Sequence, residues 1–179
     1  MKENEKEMTF LQHLEELRWH FVRSISAIMV LAIAAFVFRD IVFDNILLFP
    51  NNPEFPTNKA FAWLADQTGM ETLRINMKPV QLINIQMAGQ FTMHMVVSLI
   101  AGVVVAFPYI FYEFWRFVSP ALYTKERKHA RGGLFYVSGL FFTGILFGYY
   151  LIVPLSIDFL GGYNVSETVI NQINLQSYI

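Results

Sequence analysis

Two stretches of this chain, residues 79–112 and 132–157, carry no formal charge and are dominated by apolar side chains. A helix crossing a hydrocarbon core about 30 Å thick needs about 20 mostly apolar residues, so each stretch is long enough to span with residues to spare. The pattern predicts spans over 81–112 and 131–157, with tilt or protruding ends taking up the excess. An earlier apolar run is shorter. Only Ser24–Phe38 is uncharged, which as a helix covers about 22 Å. A span drawn over 21–43 therefore requires Arg23 to snorkel towards one surface and Arg39 and Asp40 towards the other.

Between these runs the periodicity changes. Thr9 and Gln12 form a capping-box pattern, and Phe10, Leu14, Leu17 and Phe21 recur at helical spacing, which predicts an amphipathic surface helix over 9–20 running into the first span. Glu16 projects away from that stripe, aligned with Gln12 and His20, while Arg18 sits nearer its edge. The connection 44–80 opens with Pro50, Pro53 and Pro56, which break helix. A short helix over Lys59–Thr68, ended by Gly69, follows, with Phe61, Trp63 and Leu64 resting it on the headgroup layer. Thr72–Lys78 alternates polar and apolar residues and predicts an extended segment. In the loop 113–130, Ser119-Pro120 is a helix-start signal and Thr124 a cap for the helix of the third span. Glu126 would lie in that helix's first turn, where the dipole favours an acidic group by about 0.3 to 1 kcal/mol.

Composition and charge turn this pattern into a fold and a topology. The chain is 55% hydrophobic, with 18 Phe among its 179 residues and a mean hydropathy of +0.41, which points to an all-α, polytopic membrane helical bundle in a single membrane domain. The net charge of -1 offers no argument for nucleic acid, and the lack of Cys excludes disulfides and thiolate metal sites. No metal or cofactor is expected, and no cleavable signal peptide is evident. Lys2, Lys6, Arg18 and Arg23 precede the first span, and Arg116, Lys125, Arg127, Lys128 and Arg131 crowd the loop between the second and third. Both regions are expected to be cytoplasmic. The connection 39–78 has four basic residues against five acidic ones and nothing after Arg131 is basic, so it and the segment 158–179 are expected outside. An odd number of spans agrees with this assignment.

Candidate chemistry is sparse within the spans. Gln90, His94 and Ser98 lie four apart and share one helix face, which in hydrocarbon must turn towards protein or water. They offer a polar path for a small solute or proton, or a hydrogen-bonded helix contact. An intramembrane hydrolase would need a carboxylate to orient His94 towards Ser98, and the span supplies none. A secondary transporter is the better alternative, although no internal repeat accompanies it. Gly144 and Gly148 form a small-xxx-small pair suited to helix packing, and Pro108 and Pro154 fall towards span ends.

The segment Glu113–Lys128 packs charge, aromatics and a proline between two charge-free runs, as a binding surface would. His13-Leu-Glu-Glu16-Leu-Arg18 before the first span, and Phe117-Val-Ser-Pro120-Ala-Leu-Tyr123-Thr-Lys-Glu126-Arg127 before the third, closely resemble the two signatures of the TatC family. That family is the polytopic receptor of the twin-arginine protein translocase. The span order, Pro108, Val153-Pro154 and Ser177-Tyr178 also resemble it in the right sequence.

The resemblance implies a Sec-independent translocase subunit, not an enzyme, in the bacterial cytoplasmic (inner) membrane with its N-terminus inside. Such a subunit binds twin-arginine signal peptides of folded cargo at the cytoplasmic face. It works with single-span TatA and TatB type subunits, self-associates, and draws on the proton-motive force. Carried over by motif, Glu16 and Glu126 receive the arginines, Phe117 and Arg18 support the site, and Pro120, Tyr123 and Arg127 adjoin it. Guanidinium presents a planar fork that a carboxylate accepts bidentately, which a lysine ammonium cannot reproduce. Two departures stand out: Trp19 and His20 replace basic residues expected after Arg18, and the outer connection is longer than is typical. The family resembles a six-span architecture, so this chain is expected to be a fragment ending where a fourth span would begin.

Overall fold

The computed structural model describes the backbone of residues 10–121, 124–163 and 173–179, and their side chains except those of 10–12 and 121–131. The elements in order are α1 (Phe10–Val37), α2 (Pro56–Thr68), β1 (Leu82–Ile83), α3 (Gly89–Val118), α4 (Thr124–Phe147), α5 (Val153–Gly162), β2 (Ile173–Asn174) and α6 (Leu175–Tyr178). The expected all-α membrane fold is what the chain adopts, with one short parallel pair, β1 with β2, in the register Leu82 to Ile173 and Ile83 to Asn174. Among the described residues, three helical stretches are long and apolar enough to cross a membrane: His13–Val37, Gly89–Val118 and Gly132–Gly162. Thr9, the first half of the capping box, lies outside the described residues.

Several boundaries differ from the sequence pattern. α3 begins at Gly89 and continues through Glu113 to Val118, so the start of the expected loop is helix and Pro108 lies inside α3. The end of a charge-free run does not end the helix, because Glu113 is paired with His20 and Tyr109 and continues it. The third span is helical from α4 through a widened π turn at Gly148–Ile152 into α5. Proline lacks an N–H and crowds the carbonyl four residues back, and the wide turn just before Pro154 accommodates both effects.

The chain divides into two compact units, one comprising residues up to Ala34 with Leu99–Gly139, the other Ala35–Ser98 with Leu140–Ile179. In the first, α1 and α3 meet at Gly102. A Cβ there would stand 2.7 Å from Ala32 N and 2.8 Å from Ile28 O, so only glycine permits this approach, and Ala106, one turn further along α3, is fully buried. Gly144 and Gly148, expected to serve as a packing pair, have nothing described within 4 Å of an added Cβ. The close contact belongs instead to Gly102, whose opposing face on α1 is the small Ala32.

The second unit is held by a polar and aromatic core. Phe55 is completely buried, with Phe49, Tyr149 and Tyr150 rings each 5.4 Å away. α2 starts at Pro56, where a proline at the first helical position loses no hydrogen bond, and it ends at Gly69, which is left-handed (φ 70°) and donates its N–H to Ala65 O at 2.8 Å. That is the stop which the sequence signalled. Trp63 and Leu64 are exposed on α2.

Residues 72–78 do not form the expected extended segment. A single turn at Glu71–Leu73 is followed by Asn76 at φ 50°, a left-handed residue that interrupts any strand. Its amide donates to Asp158 Oδ1 (2.9 Å), and its Nδ2 donates to Pro154 O (2.8 Å) and Asn58 Oδ1 (3.2 Å). Asn58 Nδ2 in turn donates to Pro50 O and Asn52 O, at 3.1 and 2.9 Å. Buried amides in loops need such partners, and here they decide the path over the alternating pattern. Tyr178 on α6 donates to Leu47 O at 3.4 Å, and burial, then the neighbouring Tyr149, push its ionisation up to about 12.

Candidate functional site

The first sequence motif lies on the opening turns of α1, and the second begins on the last turn of α3. Helical spacing sets Glu16 and His20 on one row of α1, and Tyr109, Glu113 and Phe117 on one row of α3. The two rows face each other. His13 stacks on Phe117, with ring centroids 4.5 Å apart and planes at 26°, and His20 meets the same ring edge-on at 6.0 Å. Segments far apart in sequence thus share one surface.

Beneath that surface is a buried charge cluster. Glu113 is 2% exposed and His20 6%. His20 Nδ1 donates to Glu113 Oε2, and Tyr109 Oη donates to Glu113 Oε1 at 3.1 Å. Arg23 Nη1 lies 3.9 Å from Oε2. Taking a carboxylate out of water costs several kcal/mol unless its oxygens are paired, and here both are. The sequence pattern passed over this group, because a lone Glu at the end of a charge-free run looks like the start of a loop. Its signal was the spacing: an aromatic residue four positions to either side, on one helix face.

The predicted site residues are distributed unevenly. Phe117 and the turn bearing Glu16 come together, and Glu16 makes no ion pair among the described residues. Arg18 turns away to Glu15, at 2.6 Å on an exposed face, and lies over Trp19 at 5.8 Å. Pro120 is exposed in the turn Ser119–Ala121 that follows α3. Tyr123 and the side chains of Glu126 and Arg127 lie outside the described residues, although α4 begins at Thr124.

Gln90 and His94 belong to the other unit. They line a cavity of about 640 Å³ together with Arg39, Asp40 and Asp44. His94 Nε2 donates to Phe36 O at 3.1 Å, and its ring stacks on Phe36 at 3.9 Å and 7°. Phe36 is in the last turn of α1, where carbonyls lose intrahelical partners, and His94 supplies one. This is the hydrogen-bonded helix contact rather than a free relay group. Ser98, on the same face, is buried without a hydrogen-bond partner among the described residues.

The matches to known proteins extend over both motifs. Residues 12–179 match the family model described as Sec-independent protein translocase protein (TatC). Among curated relatives, the TatC protein of Blattabacterium sp. subsp. Periplaneta americana is 35% identical over all of this chain and 68% of its own length. That of Desulforapulum autotrophicum is 31% identical over 100% of this chain and 58% of its own, and that of Aquifex aeolicus 31% over 89% and 57%. A crystal structure of the twin arginine translocase receptor TatC superposes with a TM-score of 0.63 at 28% identity, covering 93% of this chain and 63% of that one. The chain therefore spans between about half and two thirds of the length of these proteins. None of these matches supports a small-solute transporter.

Proposed function

Since the chain belongs to the TatC family of Sec-independent protein translocase proteins, we propose that it recognises signal peptides bearing consecutive arginines and takes part in exporting the folded proteins that carry them. Glu16 and Glu126 accept the two guanidinium groups, Phe117 offers an aromatic face beside them, and Arg18, with Pro120, Tyr123 and Arg127 close in sequence, shapes the rim. The site faces the cytoplasm of a bacterial inner membrane, with the N-terminus on that side, because the basic residues flank it. Single-span TatA and TatB type subunits and further copies of the chain assemble around it, and the proton-motive force drives passage. No bond is made or broken in the cargo.

The observation that carries this reading is the stack of His13 on Phe117, which joins one residue of each motif. Two separated motifs that meet in space form a composite surface, and a composite surface suits a ligand with two adjacent charged groups. An arginine guanidinium also stacks on aromatic faces, which lysine does less well. A photo-crosslinking residue placed at Trp19, beside Arg18 on the exposed side of α1, tests the placement in membranes. It should capture a twin-arginine signal peptide but not the same peptide with both arginines changed to lysine. Equal capture of the two peptides would overturn the reading.

A further inference from the structure

We infer that His20 and Glu113 are positioning residues of this recognition surface: their buried contact locks the register of α1 against α3, and so aligns Glu16 with Phe117. The inference rests on the recognition reading above and deepens it. Neither residue can meet a peptide, since both are almost fully enclosed. Each acts through a neighbour one turn away, His20 through Glu16 and Glu113 through Phe117.

Apolar contacts specify helix register less strictly than a buried polar pair does, and can tolerate a slip by a turn, about 5.4 Å. A buried carboxylate cannot. If α1 slid by one turn, Glu113 would lose His20, while Tyr109, which sits on the same helix as Glu113, would stay and leave one oxygen unmatched. His13 would leave Phe117 in the same movement. Gly102 against Ala32 lets the two backbones come close, but small residues set a distance rather than a register. Arg23, 3.9 Å away, balances the charge of Glu113, so this carboxylate does not compete with Glu16 for an incoming arginine.

The consequence is for specificity. A bidentate guanidinium contact depends on geometry, and a displacement of about 1 Å is enough to spoil it, whereas an ammonium ion tolerates the shift. Loss of the lock should therefore lower the preference for arginine over lysine, not merely the amount of folded protein.

Residues 1–179 contain no Cys, so none has to be removed from them for the test. In the full-length gene product, the substitutions His13→Cys and Phe117→Cys provide two thiols that a short bifunctional reagent joins to report register. In separate molecules with His13 and Phe117 intact, affinities are measured for a twin-arginine and a twin-lysine signal peptide. His20→Leu and Glu113→Gln should each reduce both the crosslink and the arginine preference by about tenfold. The exchanged pair, His20→Glu with Glu113→His, should restore both, which separates positioning from simple misfolding. An undiminished crosslink in the single variants overturns the inference, as does a lost crosslink with unchanged arginine preference. If the unaltered protein shows no arginine preference while the crosslink responds as described, the recognition reading is what has failed.

Discussion

Glu113, on the last turns of α3, is bonded through Oε2 to Nδ1 of His20 on α1, a residue 93 positions earlier in the chain. Removing either partner strands the other in a buried site. His20→Ala or Glu113→Ala should cost about 3 to 5 kcal/mol, whereas replacing both with apolar residues of similar volume should be close to neutral. Thermal unfolding in detergent of the two single variants and the apolar double variant checks this. Additive losses would contradict a coupled pair.

Gly102 is predicted to be intolerant of any side chain. The first atom added meets backbone atoms of Ala32 and Ile28, at 2.7 and 2.8 Å, and these cannot rotate away. Gly102→Ala should destabilise by about 1 to 3 kcal/mol. Gly144→Ala, with nothing among the described residues within 4 Å of an added Cβ, should instead be neutral or gain up to about 1 kcal/mol from helix propensity. Resistance to proteolysis in detergent ranks the two.

Tyr178 should titrate late. Its ionisation is pushed up from the ordinary tyrosine range to about 12, because burial disfavours the phenolate. The folded state thus holds the proton more tightly than the unfolded chain, so the contribution to stability is complete below pH about 10 and is lost as pH rises through about 12. The stability difference between the wild type and Tyr178→Phe should be constant below pH about 10 and shift only within that window. Ultraviolet titration of the phenolate in the two proteins gives the same comparison directly.

His94→Ala is predicted to weaken packing and nothing else. It removes the ring stacked on Phe36 and leaves the Phe36 carbonyl without its donor, a loss of about 1 to 3 kcal/mol. Signal-peptide affinity should stay within about twofold of wild type, since His94 belongs to neither motif. Parallel melting and binding measurements on the variant separate the two effects.

What the sequence made legible follows from physical range. Spans depend on length and absence of charge, both local properties, so the three long apolar helices stand out in the pattern. The stop at Gly69 is equally local, a left-handed position that glycine fills. Thr72–Lys78 failed for the opposite reason: its alternation is genuine, but Asn76 finds Asp158, Pro154 and Asn58 from distant parts of the chain, and no pattern within seven residues encodes that. Glu113 was hidden in the same way, since its partner lies on another helix. The Phe117 end of the candidate site was recognisable from its motif, whereas the contacts that align it with α1 depend on packing. Gly102 shows the converse. Its spacing was unremarkable beside Gly144 and Gly148, yet among the described residues it is the one of the three that opposes a helix backbone.

In the proposed site, carboxylates on two separated motifs receive the paired arginines. The direct measurement is the equilibrium affinity of the full-length gene product for a twin-arginine signal peptide, with Glu16→Gln and Glu126→Gln examined singly and together. Each charge-assisted bond is worth about 1.5 to 3 kcal/mol, so each single variant should bind about tenfold or more weakly. The double variant should no longer prefer arginine to lysine. Unchanged affinity in both single variants would show that the two carboxylates do not receive the arginines.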